Sequence, residues 1–270
     1  MARELNAIVS ETILVNSETL IIRVVPDGWE LAEHHPGQYC VIGLPGSAPR
    51  CDLSEPEEQE VDPDKMIIRA YSIASGSNQQ KHMEFYVTLV RSGALTPRLF
   101  SLKRGDKIHL GSKVTGVFTL KEIPEEANLV LMATGTGLAP YMSMIRTFLT
   151  PESKRRFCII HGARHSWDLG YSAQLSLLSG MLPHFDYIPV ISRPQDEITP
   201  WGGESGYIQD ILKRGLVAEH WGEKPTADTT HAFLCGNPSM VVDTLALLEA
   251  EGFTEHTRKV AGEVHLERYW

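Results

Sequence analysis

Short runs of apolar and β-branched residues, divided by Gly, Pro and charged positions, make up the first half of the chain. An alternating pattern starts with the first residues, and further runs of this kind occupy 20–25, 39–42, 66–73, 85–90 and 107–110. Strands that are short and closely spaced predict a small antiparallel β-barrel. One helix is expected among them, from Thr96 to about Leu102, with Thr96 as its cap and Pro97 in its first turn.

The second half of the chain alternates between strand-like and helix-like segments. Strands are predicted at 128–133, 157–161, 187–191 and 232–235, and helices at 140–149, 171–178, 207–214 and 238–251. This alternation is typical of a doubly wound α/β fold with a parallel sheet. The sequence therefore predicts two domains, an antiparallel β-barrel over 1–124 and an α/β domain over 125–270, divided by a Pro-containing charged stretch at 123–126.

One segment of the first half, 44–65, has no regular pattern. Gly46 and four prolines lie there among acidic side chains. Loops of this length are uncommon and are usually functional or disordered. We expect an acidic loop that is exposed, mobile and solvated, and the sequence leaves its role open.

Composition narrows the classes of function. The chain has 270 residues, 42% of them hydrophobic, and a formal net charge of −9. The acidic balance argues against nucleic acid as the main partner. No apolar run approaches the ~18 uncharged residues of a membrane helix, and the first residues lack the apolar core of a secretory signal. We therefore expect a cytoplasmic protein, by default a monomer, that binds neither nucleic acid nor a membrane.

The cysteines and histidines do not predict a metal site. The four cysteines are scattered and form no C-x-x-C pair, which supports neither a zinc site nor an iron–sulfur ligand set. His34, His35, His161 and His165 lack a nearby carboxylate that would complete a ligand set, and we interpret them as ordinary surface histidines. A further electron carrier, if one is needed, would be a separate protein.

Two glycine-containing turns follow predicted strands of the second half. In Gly135-Thr136-Gly137 the turn leads into a helix, so backbone N–H groups and the helix dipole favour an anion. The third glycine of the dinucleotide fingerprint is absent, and a plain tight turn stays the alternative. In the other turn, Cys235 could pack on a flat ring that Gly236 lets come close, although a buried cysteine is often only a small hydrophobe.

Two arginines follow the ends of predicted strands, Arg164 after the second strand of the α/β half and Arg193 after the third. An Arg in this region accommodates a 2′-phosphate, whereas Asp or Glu would bind the ribose hydroxyl of NAD. The pair therefore favours NADP, although either residue alone could be a surface charge. Asp168 is interpreted as a helix cap rather than a ribose ligand.

The segment Arg69-Ala70-Tyr71-Ser72 matches the R-x-Y-S motif that binds FAD in the ferredoxin–NADP reductase superfamily. Together with the turns above, nearly the whole chain outside 44–65 resembles this superfamily, and within it the bacterial ferredoxin/flavodoxin–NADP reductases. The resemblance implies that Arg69 holds the flavin pyrophosphate, Tyr71 stacks on the isoalloxazine and Ser72 bonds near flavin N5. Alternate strand residues share a face, and Arg binds phosphate bidentately, which agrees with these roles.

The resemblance also assigns other residues to the two cofactors. It implies a second FAD element at Gly93-Ala94-Leu95-Thr96, where a helix start and the Thr96 hydroxyl would face the pyrophosphate. It implies that Gly135-Thr136-Gly137 binds the NADP pyrophosphate. It further implies that Arg164 and Arg193 bind the 2′-phosphate and that Tyr207 stacks on the adenine. Cys235 and Gly236 would lie beside the nicotinamide. Some bacterial relatives have Arg in place of Tyr207, so the strictness of NADP selection stays open.

The last residues carry two aromatic side chains and a carboxylate. By resemblance, Tyr269 covers the flavin face where the nicotinamide docks, Trp270 stacks on the FAD adenine, and Glu267 lies near the site of hydride transfer. The alternative is a disordered tail. The candidate catalytic residues are Ser72, Cys235, Glu267 and Tyr269.

The expected function is an FAD-dependent oxidoreductase that exchanges a hydride with NADPH and passes single electrons to ferredoxin or flavodoxin. Four basic residues, Lys103, Arg104, Lys107 and Lys113, could dock such an acidic carrier or simply form a solvated face. Three alternatives stay open. They are the NAD(P)H-dependent reductase component of an oxygenase, a cytochrome b5 reductase-like enzyme, and a non-catalytic flavin- or nucleotide-binding regulatory subunit.

Overall fold

The structure, a computed structural model, describes residues 4–268. The chain forms two compact units. The first comprises the described residues up to Thr119 together with Ala139–Thr147, and the second comprises Leu120–Leu138 and the described residues from Phe148 onward.

The first unit is built on six antiparallel strands, as the spacing of apolar runs predicts. They pair in the order β4-β3-β6-β1-β2-β5, and a bridge between Ile73 and Phe85 links the two ends of this order, so the sheet curves into a barrel. Its core consists of inward-facing apolar residues such as Ile22, Ile42 and Ile108, each fully buried. The elements are β1 (Ala7–Asn16), β2 (Thr19–Pro26), β3 (Tyr39–Pro45), β4 (Met66–Ser72), β5 (Met83–Thr88), α1 (Thr96–Leu99), β6 (Lys107–Leu110) and α2 (Ala139–Phe148).

The helix expected from Thr96 to Leu102 is a single turn that ends at Leu99. Beyond it the backbone N–H groups of Ser101 and Leu102 donate to carbonyls three residues earlier, so the chain tightens instead of continuing as an α-helix. Thr96 is not the cap, because Leu95 occupies that position without a side-chain bond. The Thr96 hydroxyl instead accepts the Val90 N–H at 2.9 Å and donates to the Val90 carbonyl at 3.1 Å.

The acidic loop is irregular and largely exposed, as expected, and it is also hydrogen-bonded to the barrel. Its base is closed by backbone bonds of 2.9 Å from Gly46 N–H to the Lys65 carbonyl and from Ser47 N–H to the Pro63 carbonyl. Its middle is bound to the barrel through Glu55 N–H, which donates to the Arg91 carbonyl at 3.0 Å.

A buried arginine anchors the same loop. The side chain of Arg98 donates to the Gly46 carbonyl at 2.6 Å and forms an ion pair of 2.6 Å with Glu57, and 5% of its side chain is exposed. One acidic side chain of the loop, Glu57, therefore neutralises the buried guanidinium of Arg98. This pairing joins residues 41 positions apart, which a local pattern does not reveal.

The second unit is the predicted parallel sheet with helices. The strands pair in the order β10-β9-β8-β7-β11-β12, and every pairing is parallel. The chain winds outward from β7 in both directions, so the order reverses between β7 and β11, where α/β sheets bind ligands. The elements are β7 (Asn128–Thr134), β8 (Phe157–Ala163), α3 (Ser172–Met181), β9 (Phe185–Ile191), β10 (Glu204–Ser205), α4 (Ile208–Arg214), α5 (Leu216–Trp221), β11 (Thr230–Cys235), α6 (Pro238–Ala250) and β12 (Val264–Glu267).

Three elements of this unit are absent from the sequence prediction. The helix α5 follows α4 after one residue, Gly215, whose φ of +74° ends α4 in a left-handed turn. The strands β10 and β12 are short and extend the sheet at its two edges. Across the described residues, no helix is long and apolar enough to span a membrane.

Candidate functional site

The motif Arg69-Ala70-Tyr71-Ser72 lies on the last four positions of β4. Arg69 and Ala70 are exposed, Tyr71 is half-buried with its ring centroid 6.5 Å from that of Phe85 in an edge-to-face arrangement, and Ser72 is buried. Burial raises the pKa of Tyr71 to about 12, and the charge of Arg69 opposes that rise. The guanidinium and the phenol therefore lie near each other, as the alternation of a strand predicts.

The turn Gly93-Ala94-Leu95-Thr96 is held by the body of the barrel. Gly93 N–H donates to the Val90 carbonyl at 2.9 Å, and Arg98 donates to the Ala94 carbonyl at 2.5 Å. Because the Thr96 hydroxyl gives its one proton to Val90, it has none left to donate to a phosphate oxygen. Contact of this hydroxyl with a phosphate stays a prediction. The donors that this turn can offer are backbone N–H groups, which lack intrahelical partners at a helix start.

The two glycine turns at the carboxyl edge of the parallel sheet are in direct contact. A Cβ on Gly137 would lie 2.5 Å from the Cys235 carbonyl oxygen, and a Cβ on Gly236 would lie 2.2 Å from Thr134 Oγ1. Asn237 N–H also donates to Thr134 Oγ1 at 2.7 Å. The approach of one turn to the other therefore requires glycine at 137 and 236. The close approach of a ligand to these glycines stays a prediction.

Gly135 differs from these two glycines. Its φ is +53°, a region that favours glycine, and a Cβ there would meet nothing within 4 Å. It opens a short 3₁₀ turn, Gly135–Leu138, after which α2 begins with Ala139. The turn therefore presents backbone to open space at the switch point of the sheet, which is the geometry of an anion site.

A fully buried histidine supports this turn from below, so His161 is not the surface histidine that we expect from the sequence. Its Nδ1 lies 3.2 Å from the Tyr187 hydroxyl. Burial lowers the pKa of His161 to about 4, and the backbone of Gly135 partly opposes this shift. A polar residue inside the apolar run of β8 is the signal that could have identified it.

The structure brings Cys235 and Glu267 together. They are register partners on the parallel strands β11 and β12, and Cys235 Sγ lies 4.0 Å from Glu267 Oε2. The thiol is fully buried and the carboxylate is half-buried. The other predicted residues of the chain end, Tyr269 and Trp270, lie outside the described residues.

Arg164 and Arg193 follow β8 and β9, and the Arg193 N–H donates to the Arg164 carbonyl at 2.9 Å. Both side chains are exposed, and within 4–268 neither has a carboxylate at ion-pair distance. Tyr207 precedes α4 with 66% of its surface exposed. The side chains of Arg164 and Arg193 and the exposed ring of Tyr207 thus follow the ends of three neighbouring strands, β8, β9 and β10.

Beside the arginines, the structure reveals a histidine–tryptophan pair that the sequence interpretation missed. The rings of His165 and Trp167 stack at 4.4 Å. His165 lies 3.2 Å from Asp168 and 3.3 Å from Asp196. His165 is the cap residue of a 3₁₀ turn, and Asp168, at its third position, accepts the His165 N–H, so Asp168 takes part in the capping box without being the cap that we expect.

The four basic residues of the expected dock are exposed but not equivalent. Lys103, Arg104 and Lys107 lie before or at the start of β6, and Lys113 lies three residues beyond its end. Lys107 forms an ion pair of 2.8 Å with Asp27. Among residues 4–268, no group of three or more potential ligands is arranged to hold a metal ion.

Comparisons with known proteins match both halves of the chain. The family model of the oxidoreductase FAD-binding domain matches residues 58–116, which include the β4 motif and the Gly93 turn. The family model of the oxidoreductase NAD-binding domain matches residues 131–245, which include both glycine turns and both arginines.

Similar proteins match the chain over longer stretches than either family model does. The flavodoxin/ferredoxin–NADP reductase of Buchnera aphidicola (subsp. Baizongia pistaciae) is 34% identical over 208 residues, or 76% of this chain and 82% of the relative. A ferredoxin NADP⁺ reductase from Neisseria gonorrhoeae, solved with bound FAD and NADP, superposes with a TM-score of 0.79 at 22% identity over 97% of both chains. The ferredoxin reductase of carbazole 1,9a-dioxygenase shares the fold with a TM-score of 0.72 at 21% identity, over 98% of this chain and 69% of that one.

Proposed function

The chain belongs to the ferredoxin–NADP reductase family, and from this premise we propose that it is an FAD-dependent oxidoreductase that transfers electrons between NADPH and ferredoxin or flavodoxin. Bound FAD supplies the redox chemistry, which is hydride exchange with the nicotinamide and one-electron exchange with the protein carrier. The protein contributes binding, orientation and electrostatics.

The observation that carries the proposal is the contact between the two glycine turns of the second unit. Gly137 packs on the Cys235 carbonyl, and Cys235 lies beside Glu267. The turn suited to the pyrophosphate is therefore fixed to the cysteine–carboxylate pair. A nucleotide bound at Gly135 would have its phosphates and its reactive ring positioned by one rigid assembly, as a hydride donor requires.

In the second unit, we assign each nucleotide group to the residues whose chemistry fits it. Backbone N–H groups of the turn after Gly135 bind the pyrophosphate. Arg164 and Arg193 bind the 2′-phosphate, and Tyr207 stacks on the adenine. Cys235 packs against the nicotinamide, with Glu267 as the adjacent carboxylate. The two free exposed arginines and the open ring of Tyr207 support these assignments.

In the first unit, the exposed guanidinium of Arg69 suits a flavin pyrophosphate, because Arg binds phosphate bidentately. The half-buried ring of Tyr71 offers a flat surface to the isoalloxazine, and Ser72 would lie near N5. In the turn Gly93-Ala94-Leu95-Thr96, the backbone N–H groups that follow Gly93 donate to the pyrophosphate. Tyr269 and Trp270, beyond the described residues, are assigned to the flavin ring and to the FAD adenine.

For the carrier, we infer an acidic partner that meets the basic segment before β6. Lys103 and Arg104 are the principal docking charges, since Lys107 already pairs with Asp27. Reduction of the carrier by NADPH should slow with rising salt, because exposed charges are screened beyond about 8–10 Å at physiological ionic strength. The double variant Lys103→Gln/Arg104→Gln should lose most of this salt dependence, and Lys107→Gln should retain it. We further propose that the protein works in the cytoplasm as a monomer.

A second candidate is the reductase component of an oxygenase, which the shared fold with the carbazole dioxygenase reductase favours. Steady-state reduction of purified ferredoxin and flavodoxin by NADPH tests the leading proposal. Turnover with either carrier supports it. Reduction of artificial dyes without reduction of either carrier would favour the oxygenase reductase, and FAD binding without any turnover would indicate a regulatory subunit.

A further inference from the structure

The second unit contains a cavity of about 300 Å³ that none of the assigned cofactor residues lines. It lies between one face of the parallel sheet and the helices α5 and α6. Its wall is apolar and is formed by core side chains, chiefly Val130, Met132, Val217, Ala232, Leu248 and Phe253.

The cavity is set apart from the nucleotide turns along the strands. Val130 and Ala232 are register partners at the third positions of β7 and β11, and Met132 follows on the same face. The turns that begin at Gly135 and Gly236 lie beyond the carboxyl ends of these strands. A ligand in the cavity would therefore contact the middle of β7 and β11 and not the turns at their carboxyl ends, which are assigned to the nucleotide.

The rim of the cavity carries charges of both signs. Lys224 forms an ion pair with Glu251, so these two charges neutralise each other. Lys213 is exposed and, within the part of the chain that the structure describes, has no carboxylate at ion-pair distance. One ammonium group is therefore left available beside an otherwise apolar wall.

The cavity is partly open to solvent and is lined mainly by apolar side chains, and removal of apolar surface from water by a bound ligand is favourable. A dry cavity of about 150 Å³ holds benzene, and ligand pockets begin near 300 Å³. The volume here thus corresponds to an apolar body of about two rings. We propose that this cavity binds a small amphipathic carboxylate, with its rings or alkyl chain against Val130, Ala232 and Leu248 and its carboxylate at Lys213.

The probe is 1-naphthoate, titrated into the FAD-loaded protein with saturating NADP⁺ present and followed by methyl NMR and calorimetry. The methyl signals of Val130, Val217 and Leu248 should shift, and one molecule should bind per chain. The neutral analogue 1-naphthalenemethanol should bind about three- to fivefold more weakly, since an exposed ion pair contributes up to about 1 kcal/mol. Absence of shifts at these methyls would overturn the proposal.

Two pairs of variants test the two halves of the site. Ala218→Phe fills the cavity from α5 and should weaken naphthoate binding by about tenfold or more, because the added ring occupies the volume that the ligand needs. Ala173→Phe, the same change on exposed α3, should leave binding intact. Lys213→Gln should remove the preference for the carboxylate over the alcohol, whereas Arg214→Gln, next to it but paired with Glu204, should retain it. Unchanged binding by Ala218→Phe, or an unchanged preference in Lys213→Gln, would contradict the assignment.

Discussion

Gly236 lies so close to Thr134 that a Cβ at position 236 would stand 2.2 Å from the Thr134 hydroxyl oxygen. The φ of Gly236 is +132°, so the backbone there is also strained for any other residue. Thr134 ends β7 and Gly236 follows β11. This contact joins the two turns between which the strand order reverses, and it fixes the turn at Gly135 relative to Cys235.

Replacing Gly236 with Ala should therefore separate the two turns. We expect a loss of more than about 2 kcal/mol in the free energy of unfolding, from steric overlap and an unfavourable φ. Affinity for NADPH should fall with it. Urea unfolding and NADPH titration measure the two effects. The control is Gly180→Ala in α3, where a Cβ meets nothing within 4 Å, and which should raise stability by up to about 1 kcal/mol. Equal stability of the two variants would refute the role of this contact.

The anchor of the acidic loop gives a second prediction. Arg98→Ala leaves Glu57 without its partner and the Gly46 carbonyl without its donor, so the free energy of unfolding should fall by about 3 kcal/mol. Limited proteolysis should also cut between residues 46 and 65 more rapidly. Glu60→Gln, on the same loop but exposed, should change stability by less than about 0.5 kcal/mol. An Arg98→Ala protein with unchanged cleavage would show that the loop is not held by this residue.

The buried residue His161, next to the turn at Gly135, makes the free energy of unfolding depend on pH. The pKa of His161 is about 4 in the folded protein, below its ordinary value of 6.5, because burial disfavours the charged form. As the pH falls, the His161 imidazole therefore takes up its proton in the unfolded chain before it does so in the folded protein. The contribution of neutral His161 to the free energy of unfolding is complete above pH 6.5 and is lost as the pH falls toward 4, by about 3 kcal/mol in total.

His161→Phe should reduce the slope of the free energy of unfolding against pH between 6.5 and 4, with the remaining slope due to other histidines of lowered pKa such as His265, and His35→Asn, at an exposed position, should leave the slope unchanged. Chemical denaturation at several pH values measures both. If His161→Phe and the parent protein lose stability in parallel over this range, another group is responsible for the acid sensitivity.

The arginine after β9 should determine the choice of nucleotide. Arg193→Ala removes a cation assigned to the 2′-phosphate, so KM for NADPH should rise about ten- to a hundredfold, the value of one charge-assisted contact. KM for NADH, which lacks that phosphate, should stay within about twofold. Arg214→Ala, whose side chain pairs with Glu204, serves as the control and should affect neither. An equal effect of Arg193→Ala on both nucleotides would remove the assignment.

Local patterns predict the strands, most helices and the chemical motifs well. The runs around Ile22 and Ile42 alternate as barrel strands do, and the turn at Gly135 is recognisable because its strand, glycines and helix are adjacent in the sequence. The same holds for Arg69 and Tyr71, which are two residues apart on one strand.

The features that sequence did not predict depend on contacts between distant residues. The proximity of Gly137 to Cys235 requires two strands to lie side by side, and the pairing of β12 with β11 adds a strand that is only four residues long. His161 resembles a surface histidine until β8 is known to be central in the sheet. In each case the reason for the residue type lies in another part of the chain.

Binding of FAD and its reduction by NADPH are the core of the proposed function. An anaerobic absorbance titration of the purified protein, with NADPH in one cell and NADH in a parallel cell, tests it most directly. We expect a yellow protein with about one FAD per chain, bleached by NADPH at far lower concentration than by NADH. A colourless protein that stays so with added FAD, or a bound flavin that NADPH does not reduce, would contradict it.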